Sequence, residues 1–166
     1  MEQAIISGVA LDDTEAKVTL EDVPDRPGVA AKIFRAVADE HVNVDMIVQN
    51  VSHDGSTDMS FTAPRADLPR LERVVATIVD QVGAIRYSAD DDIAKISLVG
   101  AGMKSNPGVA AEMFEVLAEE GVNIEMISTS SIRISCVVRR KDAGTAIRAI
   151  HRRFGLGEAP GDEGGT

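Results

Sequence analysis

The chain has 166 residues, with 17 basic against 27 acidic side chains, a net charge of −10, no Trp and one Cys. This balance argues against a nucleic-acid partner, which needs a basic surface, and the scarcity of aromatic residues argues against base- or sugar-stacking platforms. The lone Cys136 permits no intrachain disulfide and suits a reducing cytoplasm; no apolar run approaches the roughly 20 residues needed to cross a bilayer, and the opening MEQAIISGVA lacks the basic region of a signal peptide.

Ile5–Leu11 is a short apolar run that reads as a strand, followed by a polar break at Asp12–Glu15. Ala16–Leu20 alternates, with Val18 and Leu20 on one face, and reads as a second strand. A turn with two prolines, Asp22 to Gly28, leads into a helix that should end near His41, with Ile33, Phe34, Val37 and Ala38 on one face. Val42–Ser52 alternates with period two, His53–Ser56 is a hairpin signal and Thr57–Ala63 is the returning strand. Asp67–Val82 is a second amphipathic helix, Ala84–Tyr87 a short strand, and Ala89–Asp92 a linker.

The pattern then recurs. PGVAAKIFRAVADEHVNVDMI at 27–47 returns as PGVAAEMFEVLAEEGVNIEMI at 107–127, identical at 12 of 21 positions and offset by 80. Around it lie a strand at Ala94–Gly100, a helix at Pro107–Glu120, strands at Val122–Ser130 and Arg133–Arg139, and a helix at Asp142–Phe154. The order βαββαβ predicts an α+β, ferredoxin-like module with an antiparallel sheet and both helices on one face. The second copy stops short of its last strand, while the chain has a spare strand at its start. The expected division is therefore 16–88 for the first module, 93–155 plus the strand at 4–11 for the second, and a flexible tail at 156–166. Modules this small bury a limited core, so an oligomer, most simply a homodimer, is expected.

The turn Asp25-Arg26-Pro27-Gly28-Val29-Ala30 is the leading candidate site. The first N–H groups of a helix lack intrahelical partners and carry the positive end of its dipole, so they favour a carboxylate. Gly28 lets a ligand approach the backbone, and Asp25 adds a negative charge beside it. An anion site next to a carboxylate matches an α-amino acid; the alternative is that Pro-Gly only starts the helix and Asp25 caps it. Asn43, Asn123 and Gln49 could bond a ligand or satisfy loop backbone. In the second copy Ser105 stands where Asp25 does and Lys104 where Pro24 does, so the two turns should not bind a ligand equally well. The Gly100-Ala101-Gly102-Met103-Lys104-Ser105 loop fails as a nucleotide motif, because Met103 stands where a P-loop needs Gly. His41, His53, His151 and Cys136 show no metal-ligand spacing; neither metal nor cofactor is expected. The Met residues at 46, 103, 113 and 126 read as core or loop filler.

With Pro-Gly-Val-Ala-Ala and Val-Asn-[Val/Ile]-[Asp/Glu]-Met-Ile in each module, the chain resembles the paired ACT domains of aspartate kinase. Glu15-Ala16-Lys17-Val18-Thr19 and Val44–Val51 carry the likeness in the first module. Lys95–Met103, Asn123–Ser130 and Ile132–Ser135 carry it in the second. The resemblance implies a regulatory region that binds threonine, lysine or both and restrains an attached or associated kinase. It implies that the first module of one chain packs beside the second module of another, with effectors in the seams. Asp25 would meet the ligand's ammonium and the N–H groups of Gly28, Val29 and Ala30 its carboxylate; Gln49 would line the pocket, with Asn123 and Ile124 supplied across the seam. A second seam would involve Asn43, Met103, Val109, Ala110 and Ser130. The Lys-Phe-Gly-Gly-Thr motif of the kinase half is missing, so the chain alone is not expected to be an enzyme. An alternative within ACT proteins is the regulatory subunit of a branched-chain synthase. An acylphosphatase on the same topology lacks its glycine-arginine loop, and an RNA-binding sheet lacks its aromatic residues.

Overall fold

The computed structural model describes residues 5–156. In chain order the elements are β1 (Ile5–Asp12), β2 (Glu15–Pro24), α1 (Val29–Asp39), β3 (Ile47–Gln49), β4 (Ser56–Pro64), α2 (Leu68–Val82) and β5 (Arg86–Asp90). Then come β6 (Ile93–Ala101), α3 (Gly108–Glu119), β7 (Met126–Thr129), β8 (Arg133–Arg139) and α4 (Ala143–Arg153). The chain divides into two units, one running from Asp12 to Ala94, the other joining the residues up to Leu11 with those from Lys95 onward.

In the first unit the sheet order is β3-β4-β2-β5, with β2 antiparallel to both β4 and β5 and β3 antiparallel to β4. The alternation of β2 and β4 turns Val18, Leu20, Met59 and Phe61 inward, where Ile33 and Val37 of α1 and Leu71, Val75 and Ile78 of α2 cover them. Phe34 meets Phe61 edge to face at a centroid distance of 5.4 Å and 76°. Each fully buried Leu, Ile or Phe here contributes about 1.5–3 kcal/mol. The expected inner face of α1 needs one correction: Ala38 is exposed, and Val29 is buried instead.

The second unit has the order β1-β6-β8-β7. Here β1 occupies the sheet position that β5 holds in the first unit, beside the first strand of the module, and Ser7 Oγ donates to Val99 O at 3.1 Å. The core gathers Ile96, Leu98, Met113, Leu117, Ile134, Cys136 and Ile150. Leu156 packs against it; the rest of the expected tail, and residue 4 of the expected strand, lie outside the described residues.

Several expected boundaries move, each for a physical reason. The strand expected over Val42–Ser52 is regular only at Ile47–Gln49. Asp45 N donates to Thr62 O at 2.9 Å and Thr62 N to Met46 O at 3.0 Å, so two residues face one and the ladder bulges. The same happens at Glu125 and Met126 opposite Val137. Helix α1 starts at Val29, just past Pro27 and Gly28, and α3 at Gly108, just past Pro107. Ala89 and Asp90, expected in a linker, belong to β5 and pair with β2, so only Asp91 and Asp92 separate β5 from β6. The four Met residues at 46, 103, 113 and 126 are all buried. Among the described residues, no helix is long and apolar enough to cross a membrane.

Candidate functional site

In the first unit β2 outruns the expected Leu20 by four residues, passing through a bulge at which Asp22 takes φ 52°. It ends at Pro24, and Asp25 N then donates to Gly55 O at 2.9 Å. Gly28 adopts φ 91°, a left-handed conformation that a Cβ would strain. From there α1 begins at Val29, and no side chain caps it. Asp25 is thus not the helix cap: its backbone is held by the hairpin and its side chain is exposed.

These residues form the floor of a pocket of about 380 Å³ lined by Asp25, Gly28, Val29, Ala30 and Gln49, together with Val23, Pro24, Arg26, Pro27 and Met59. Five expected site residues of this module therefore converge on one concavity. Met59 was not singled out from sequence, and Arg26 stood in the candidate turn without a role in binding an amino acid. Met59 could have been found from strand register, since it pairs directly with Gln49. Arg26 adds a positive charge next to the positive end of α1, so the pocket presents a cationic side and, at Asp25, an anionic one.

The second unit carries a counterpart of about 450 Å³, lined by Met103, Asn106, Pro107, Ala110, Thr129, Ser130, Ser131 and Ile134. Thr129 pairs with Ile134 as Gln49 pairs with Met59, so the two pockets use the same sheet positions. Their turns differ. β6 ends at Ala101, Gly102 takes φ 74°, and a single 3-10 turn follows at Met103–Ser105. Asn106 Nδ2 donates to Gly102 O at 2.7 Å. Among the described residues, neither Ser105 nor any carboxylate lines this pocket.

Of the second expected set, Met103, Ala110 and Ser130 line this pocket, while Val109 packs against the second core. Asn43 is exposed in the first unit and lines neither pocket; Asn123 is exposed, and Ile124 packs on the second core. Cys136 is buried and its thiol is pushed up to about 12 by burial, which makes it an inert core residue. No group of His, Cys, Asp and Glu that could hold a metal ion occurs among the described residues.

Models of the ACT domain match residues 18–83 and again residues 96–154. A solved structure of aspartokinase α and β subunits contains a chain 45% identical to this one. It superposes with a TM-score of 0.86, covering 92% of this chain and 100% of that one. The chain belongs to the aspartate kinase family, in its regulatory ACT-domain part. The ligand-free regulatory subunit of aspartate kinase from Thermus thermophilus is 39% identical with a TM-score of 0.86, covering 90% of this chain and 99% of that one. The aspartokinase of Corynebacterium efficiens is 50% identical over 168 residues; the match takes in all of this chain but 39% of that protein. The family shown is thus aspartate kinase, and the chain spans well under half the length of the curated relatives it matches.

Proposed function

We propose that this chain is the amino-acid-sensing region of an aspartate kinase, taking up threonine, lysine or both to convey feedback inhibition of aspartate-family amino-acid biosynthesis. One observation carries the reading: the Asp25 carboxylate stands in a pocket whose other wall is an uncapped helix start backed by Arg26. A zwitterion places its ammonium at Asp25 and its carboxylate at the N–H groups of Gly28, Val29 and Ala30, with Gln49 beside it. The volume lies within the roughly 300–1,000 Å³ of small-ligand pockets. Asn123 and Ile124 of a second copy complete this site in a homodimer. Asn43, Met103, Val109, Ala110 and Ser130 belong to a second seam, where the missing carboxylate leaves ammonium recognition weaker. The chain itself performs no phosphoryl transfer; its partner is the cytoplasmic kinase catalytic region. Effector binding stabilises one arrangement of the modules over another, and only that difference in affinity can be transmitted to a kinase.

Thermal-shift measurements with each aspartate-family amino acid test this reading, because a ligand that binds the folded state raises its apparent stability. A rise with threonine or lysine, reduced by Asp25→Ala, is expected. No rise with either at roughly millimolar concentration contradicts it.

A further inference from the structure

The same backbone N–H is satisfied differently in the two turns. Asp25 N reaches across to Gly55 O in the β3–β4 hairpin at 2.9 Å, whereas its counterpart Ser105 N turns back to Gly102 O at 3.2 Å. The hairpins differ to match. The cross-strand partners are Gln49 and Met59 in the first unit and Thr129 and Ile134 in the second, five residues closer along the chain. The longer hairpin is firmly built. Asp54 and Gly55 both take positive φ, 57° and 80°, and Ser56 N donates to His53 O at 3.2 Å, the tight turn whose twist suits paired strands. Thr57 Oγ1 donates to Asn50 O at 2.6 Å and closes its base.

This hairpin also grips β2. Asp22 N, at the bulge, donates to Asp58 Oδ1 at 3.0 Å, and Ser56 Oγ donates to Asp22 Oδ1 at 3.4 Å. Pro24 pairs with Ser56 in the ladder, and the next residue is Asp25, tied to Gly55. The segment that carries the pocket's carboxylate is thereby fixed at Asp22 and again at Asp25, both times by the hairpin.

We infer that the β3–β4 hairpin is a positioning clamp, in which Asp58 and the Gly55 carbonyl set where the Asp25 carboxylate stands and so govern recognition of the ligand's ammonium group. This rests on the amino-acid-binding reading above and adds a residue, Asp58, that is not among those lining the pocket. Its action is indirect: it holds the backbone of the bulge, the bulge holds the turn, and a preset carboxylate loses less freedom on binding.

A double-mutant cycle separates this from ordinary structural support. Affinity is measured by calorimetry with L-threonine, or with L-lysine if that is what the unaltered chain takes up. Asp58→Ala should weaken binding about three- to tenfold, and Asp58→Asn, which keeps an oxygen acceptor, should stay within about twofold of the unaltered chain. Added to Asp25→Ala, Asp58→Ala should cost less than about a further twofold. Replacing Asn50–Asp58 by Ser-Ser-Ile-Arg, the segment joining Thr129 to Ile134, should weaken binding at least as much as Asp58→Ala. The clamp is overturned if Asp58→Ala leaves affinity unchanged, or if its cost is the same with and without Asp25. Failure of the unaltered chain to bind either amino acid would instead sink the functional reading itself.

Discussion

The two modules share a topology, a pocket position and most of the helix that borders it, yet only the first puts a carboxylate in that pocket. Asp25 and Arg26 of the first turn are Ser105 and Asn106 in the second, so a doubly charged turn has a neutral polar pair as its counterpart. Duplication preserved what the fold needs, namely the Pro-Gly helix start, the apolar stripe and the bulged edge strand. It did not preserve the charges at the turn. The Pro-Gly-Val-Ala start is alike in both copies, so the charge at the turn, and not the helix start, is what sets the two pockets apart.

The sharpest difference within the cores is at one sheet position, Phe61 in β4 against Cys136 in β8, both fully buried. Phe61→Ala should destabilise the first module by about 3–5 kcal/mol, because an aromatic side chain is deleted from a packed core. Cys136→Ala should cost the second about 1 kcal/mol, since far less volume is lost. Denaturant melts read by amide exchange in β4 and β8 would show both, and equal losses would break the contrast.

Next in size is the contrast at the turns. Asp25→Ala should weaken amino-acid binding about ten- to a hundredfold, the weight of a charge-assisted hydrogen bond, while Ser105→Ala should leave that binding within about twofold. Competition calorimetry would read the difference.

A smaller effect separates the modules by pH. Burial raises the Cys136 thiol from 9.0 to about 12 in the folded chain. Above pH 9 the unfolded chain therefore sheds a proton that the folded one keeps. The stability linked to this group is present below 9 and is lost as pH climbs towards 12, on the order of 1 kcal/mol by about pH 10. The first module has no thiol and lacks this term. Replacing Cys136 by Ala should flatten the second module's share of the alkaline decline.

The smallest contrast lies at the ends of α1 and α3. His41 takes φ 58° where the second copy has Gly121 at φ 69°. Both close the same cap, with His41 N on Ala38 O at 2.9 Å and Gly121 N on Ala118 O at 3.0 Å. A left-handed position suits Gly, so His41→Gly should stabilise the first module by about 0.5–1 kcal/mol, measurable as a rise in Tm.

Periodicity made most of this fold legible. The apolar faces of α1 and α2, the hairpin at His53–Ser56 and the repeat at an offset of 80 are all local or self-similar signals. The bulge that shortens β3 was not legible, because it depends on which residue of β4 stands opposite Met46. The extension of β2 through Asp22 was hidden for a like reason: its left-handed bulge is held by Asp58, far away in sequence. At the site, Asp25, Gly28 and Ala30 announced themselves by chemistry and spacing. Met59 did not, since its place beside Gln49 follows from register.

The central claim is that the Asp25 pocket, and not merely the fold around it, recognises an amino acid. Calorimetric titration of the unaltered chain with L-threonine and L-lysine, repeated on Asp25→Ala and Ser105→Ala, tests it most directly. The account predicts saturable binding of at least one of them, lost or strongly weakened in Asp25→Ala and kept in Ser105→Ala. Binding that survives Asp25→Ala unchanged, or that disappears only with Ser105→Ala, would contradict it.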